Sequence, residues 1–112
     1  MLRSEFVIVL TTLPTKVETA DFAKALIDDR LAACVSVHPE IKSFYMWESQ
    51  IMEESEQQIL IKTTANRIEE LQSRVLDLHP YKVPELLVIP IIDGSESYLK
   101  WIKECTKAVE VL

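Results

Sequence analysis

His79, Tyr81 and Glu85 fall within one seven-residue stretch, HPYKVPE, directly before the apolar run LLVIPI. Imidazole binds metals and moves protons near neutral pH, and a carboxylate can do either as well. Three readings are open: a metal site, an acid–base pair, or a stiff turn into a buried strand. Pro80 and Pro84 fix their own φ and push His79 and Val83 toward extended geometry. That alone accounts for the stretch as a connector. The functional readings add that the stiffness aims His79, Tyr81 and Glu85 into a cleft. A metal held by His79 and Glu85 has two protein ligands, so it is weakly bound and needs a donor from elsewhere.

Other reactive types are scattered. Phe44, Tyr45 and Trp47 read first as packing residues and as anchors of an oligomer interface. Lys62 ends an extended run and is a candidate neighbour of the cleft. The polar run Glu53 to Gln58 reads as solvated hairpin, because carboxylates at i, i+1 and i+3 of a strand do not converge on one face. No nucleophile stands beside an obvious base, and no nucleophile-elbow signature is present. No catalytic residue is assigned.

The elements that must position these residues follow from pattern. EFVIVLTT (5–12) predicts a strand, apolar on both alternating faces. Thr15 to Glu18 predicts a capping box opening a helix that ends near Arg30, with Ala20, Ala23, Leu26 and Ile27 at helical spacing. Residues 32–47 predict a long extended segment broken at His38-Pro39, with a turn at 48–50 and a return strand over 51–63. Asn66 to Glu69 predicts a second capping box, for a helix with Ile68, Leu71, Val75 and Leu78 on one stripe. ELLVIPII (85–92) predicts the fourth strand. Asp93-Gly94 turns the chain, and Ser95 caps a last helix presenting Tyr98, Trp101, Ile102 and Cys105.

The order βαββαβ is that of an α+β, ferredoxin-like sandwich with an extra C-terminal helix, whose strand order is 4-1-3-2. Proline is confined to edge strands or bulges, and Pro39 and Pro90 fall in the two strands expected at the edges. Strands 1 and 4 are apolar on both faces. Strands 2 and 3, at ~3.3 Å per residue, make a hairpin of roughly 40–50 Å, too long for a small domain. An exposed edge of that length invites pairing with another chain. An oligomer is expected.

The 112 residues fit one domain, taken as 1–112, able to bury roughly 65% of its unfolded surface without staples. A single glycine excludes glycine-rich phosphate loops. The net charge of −6, without a basic patch, excludes nucleic acid and anionic membrane as partners and leaves a mild bias toward cations. No segment approaches the ~20 apolar residues of a membrane span or the core of a signal peptide. Cys34 lies in LAACVSV and reads as a buried reduced thiol, which fits the cytoplasm.

Taken together, RLAACVSVHPEIKSFYMWES, ILIKTT, LHPYKVPELLVIPI and YLKWI resemble the CutA family, the divalent-cation tolerance proteins. The resemblance runs from VIVLTTLP to YLKWI. It implies a ferredoxin-like chain assembled as a homotrimer, with architectural similarity to the PII signalling proteins, which bind small ligands between subunits. It implies a link to divalent-cation tolerance, copper especially, with no cofactor required and copper bound weakly by His79 and Glu85. The implied ligand cleft comprises Tyr45, Trp47, Lys62, His79, Tyr81 and Glu85, and the ligand is an unknown small molecule or divalent metal. Three departures stand out. Thr11 occupies a position where some members carry cysteine. Lys82 replaces an acidic or amide residue, and Ser49 stands where the hairpin turn often has glycine. The alternatives are an enzyme using His79 and Glu85 for acid–base chemistry, and a purely structural trimer.

Overall fold

The computed structural model describes residues 4–108, so the ends of the expected 1–112 unit lie outside the described residues. Four strands form one antiparallel sheet: β1 (Phe6–Pro14), β2 (Cys34–Trp47), β3 (Gln50–Thr64) and β4 (Leu87–Pro90). Three helices accompany them: α1 (Thr19–Asp28), α2 (Ile68–Leu78) and α3 (Glu96–Cys105). The strand order β2-β3-β1-β4 is the expected ferredoxin-like order read from the other edge. Pro39 and Pro90 do fall on the two edge strands, and the β2 register slips between His38 and Ile41, around Pro39.

Strand alternation sends Val7, Val9 and Leu13 of β1 and Ile59 and Ile61 of β3 to one face. Phe22 and Leu26 of α1 and Leu71 and Val75 of α2 close over them as one buried cluster. The other face carries Ile8, Leu10 and Lys62, and α3 covers only part of it, packing on β3 with Ile102 buried. Tyr98 and Trp101 of α3 stay largely exposed.

The helix ends differ from the sequence expectation. Val17 N–H bonds back to Pro14 C=O at 3.0 Å, so a turn occupies the segment read as a capping box. Glu18 becomes the N-cap, its carboxylate accepting from Ala20 N–H at 3.2 Å. α1 closes with Leu31 N–H on Leu26 C=O (2.9 Å) and Arg30 N–H on Ile27 C=O (3.0 Å), with Arg30 at φ 57°. This is a Schellman closure in which arginine holds the left-handed position glycine usually takes. Arg67 seals it, donating to the carbonyls of Arg30 and Asp29.

A 3₁₀ turn at Ala65–Arg67 replaces the second capping box, and the Thr64 hydroxyl donates to the Asn66 side chain at 2.6 Å. Leu78 is exposed and leaves the expected stripe. Ser95 sits at the α3 N-cap without a side-chain bond. β4 is shorter than expected, four residues long. The two cysteines are free, and Cys34 is half-buried where a buried thiol was expected.

β1 ends opposite Glu56. Beyond that point β2 and β3 continue to Trp47 and Gln50 as a two-stranded ribbon without a third strand. The ribbon exposes Phe44, Met46, Trp47 and Ile51. The turn at its tip places both Glu48 (φ 49°) and Ser49 (φ 66°) in the left-handed region.

Candidate functional site

The base of the ribbon and the HPYKVPE connector border a cleft of about 810 Å³. Register explains how the sequence builds one wall. Ser43 lies opposite Glu54, Tyr45 opposite Met52, and Ile41 opposite Glu56. Directly opposed residues share a face, so Ser43, Tyr45, Trp47, Met52, Glu54 and Glu56 all belong to the cleft side of the ribbon. Tyr81, Lys82, Val83, Pro84 and Glu85 of the connector form the facing wall.

The connector is held against the free edge of β1, past the point where β4 pairing stops. The Thr11 hydroxyl donates to Glu85 C=O at 2.6 Å. His79 Nε2 bonds Thr12 C=O at 2.6 Å, and His79 Nδ1 accepts from Tyr81 N–H at 3.1 Å. A carbonyl only accepts and an amide N–H only donates, so the ring is neutral with its proton on Nε2. His79 is 8% exposed. His79 is not among the residues lining the cleft: both nitrogens are engaged with backbone, and the ring takes over a ladder position that β4 leaves open.

Of the residues read as cleft-lining, Tyr45, Trp47, Tyr81 and Glu85 are brought together. Lys62 is not. It lies on the same sheet face as Glu56 but six residues further along β3, roughly 20 Å away at ~3.3 Å per residue. Its ammonium sits 5.9 Å from the centroid of the Tyr98 ring, beside α3.

The sequence reading missed Glu54 and Glu56. Glu53 does turn to the opposite face, pairing with Lys42 at 3.7 Å. Glu54 and Glu56, two residues apart on a strand, share the Tyr45 face, and that i, i+2 spacing was the available signal. Glu56 is 6% exposed and Gln57 8%, against the solvated run expected there. Gln57 bonds the carbonyls of Pro14 and Val17. Glu56 accepts from the Ser43 hydroxyl at 2.7 Å and, at 3.5 Å, from the Tyr81 hydroxyl.

The electrostatics follow. The Tyr81 phenol is pushed up to about 12, by burial first and then by the charges of Glu56 and Glu54. Hydrogen bonding to Glu54, then burial, raises the Tyr45 phenol. Burial first, and the Glu56 charge second, raises the Glu85 carboxyl. Among the described residues no three His, Cys, Asp or Glu are placed to hold a metal ion. No helix among them is long and apolar enough to cross a membrane.

The sequence profile described as "CutA1 divalent ion tolerance protein" matches residues 7–105. The "Divalent-cation tolerance protein CutA" of Thermus thermophilus is 42% identical over 99 residues, covering 88% of this chain and 96% of that protein. The "Protein CutA, chloroplastic" of Arabidopsis thaliana is 37% identical over 101 residues, covering 90% of this chain and 56% of its own length. The crystal structure of the stable protein CutA1 from the psychrotrophic bacterium Shewanella sp. SIB1 superposes with a TM-score of 0.90 at 33% identity, over 96% of this chain and all of that one.

Proposed function

The chain belongs to the CutA1 divalent ion tolerance protein family, and from that premise we propose that it acts as a homotrimeric, PII-like binding or regulatory protein in the cytoplasm, with the ribbon–connector cleft as its small-ligand site. The cleft carries the reading. Its volume of about 810 Å³ lies within the ~300–1,000 Å³ range of small-molecule sites. Aromatic and carboxylate residues line it from β2, β3 and the connector. The exposed apolar side chains on both faces of the ribbon support the trimer, since two strands alone are marginal in water.

Copper does not fit the donor set as an inner-sphere ligand. His79 has no free lone pair, Thr11 offers no thiolate, and Glu56 already accepts from two hydroxyls. The tie to divalent-cation tolerance is therefore proposed to run through a small ligand. Acid–base catalysis by His79 and Glu85 finds no support in a buried, doubly bonded imidazole. A purely structural trimer leaves the aromatic and carboxylate lining of the cleft unused. Sedimentation equilibrium tests the assembly: a trimer is expected at micromolar concentration, and a monomer there overturns the reading.

A further inference from the structure

We propose that the cleft is built for an organic ammonium group, a primary amine or its methylated forms carried on a small molecule, in place of a bare divalent metal ion. This rests on the ligand-cleft reading above and names the chemistry of the occupant.

The charge balance comes first. Glu54, Glu56 and Glu85 face a cleft whose one lysine is Lys82. Among the described residues none of the three carboxylates forms a salt bridge. Glu56 is 6% exposed, and only the neutral hydroxyls of Ser43 and Tyr81 meet its oxygens. A carboxylate taken out of water without a cation is costly, and removing that cost is what a positively charged ligand does. Burial first, and the Glu56 charge second, also raise the Glu85 carboxyl.

The lining then selects the kind of cation. Tyr45, Trp47 and Tyr81 line the same cleft as the carboxylates. A ring quadrupole attracts a weakly hydrated organic cation, and such cages recognise alkylated ammonium groups. A small divalent ion instead gives up water reluctantly and asks for several oxygen, imidazole or thiolate donors in fixed geometry. Among the described residues no three carboxylate, imidazole or thiolate groups are placed to hold such an ion, and the cleft's volume is that of a molecule.

The test titrates the full chain with butylammonium, with butyrate of the same carbon count, and with Cu²⁺, following NMR signals of Tyr45, Trp47 and Tyr81. Butylammonium should bind at least about tenfold more tightly than butyrate, a difference of ~1.4 kcal/mol. Glu54→Gln combined with Glu85→Gln should weaken it by about tenfold, and Lys82→Glu on the rim should tighten it by about threefold, both on the scale of single charge contacts. Glu56 is left intact because its substitution disturbs a buried hydrogen-bond set. Butyrate binding as tightly as butylammonium, Cu²⁺ displacing the amine at these residues, or amine affinity unmoved in both variants overturns the ammonium assignment while the cleft stands as a ligand site. No response to any of the three probes overturns the assignment and the cleft reading together.

Discussion

His79 shows how a reactive residue type becomes a structural one. Its ring joins Thr12 C=O and Tyr81 N–H, so His79→Ala leaves two backbone groups without partners in a buried place. Urea unfolding should show a loss of about 2–4 kcal/mol, the range for stranding buried polar groups; a loss below ~0.5 kcal/mol would mean that the two bonds contribute nothing. Tyr81 gives a pH signature. Its folded value of about 12 lies above the ordinary 10.0, so over that interval the folded state holds a proton that the unfolded state has released. Stability should therefore fall as pH rises from about 10 to about 12. Absorbance titration of phenolate should show one tyrosine ionising near 12 that vanishes in Tyr81→Phe. The stiffness of HPYKVPE was legible from its prolines. The partner of His79 was not, because Thr12 is 67 residues away in sequence and free only because β4 is short. Glu56 was legible in principle, from its spacing to Glu54.

Element order and strand order were readable because proline, apolar alternation and helical spacing are local signals. Pro39 and Pro90 marked the edges correctly. Helix starts were misread because a threonine–glutamate spacing does not say which residue leaves the preceding strand. β1 runs on to Pro14, and that extension moves the cap to Glu18. The hairpin turn is where local preference and fold conflict. Two left-handed residues in succession suit Asn-Gly, and this chain has Glu48-Ser49. Glu48→Asn with Ser49→Gly should raise stability by about 1–2 kcal/mol, since non-glycine residues strain in this region. A shift of the denaturation midpoint to higher urea at unchanged slope is the expected result. An unchanged midpoint would show that assembly contacts already hold the turn.

For the whole molecule, shape is the informative quantity. The radius of gyration is 15.1 Å, against ~13 Å for a compact chain of this length. The excess is the ribbon, along an axis of 49 Å. In the proposed trimer its apolar side chains are interface, with Trp47, which also lines the cleft, the largest. Trp47→Ala should weaken association by at least ~2 kcal/mol, whereas His79→Ala acts mainly within the subunit. Equal effects on trimer dissociation would remove Trp47 from that role. The excess of apolar surface was legible in the sequence, but which side chains line the cleft depends on register, which one-residue slips invert. The ribbon also bears on how the chain reaches its native state. Near its tip each strand has the other as its sole companion, and a lone hairpin of this kind is barely stable in water. If the chain assembles as proposed, a newly made subunit can complete its sandwich early and leave 44–55 unsettled until it meets its neighbours. In the proposed trimer, maturation then includes a bimolecular step whose pace depends on how much of the protein the cell makes.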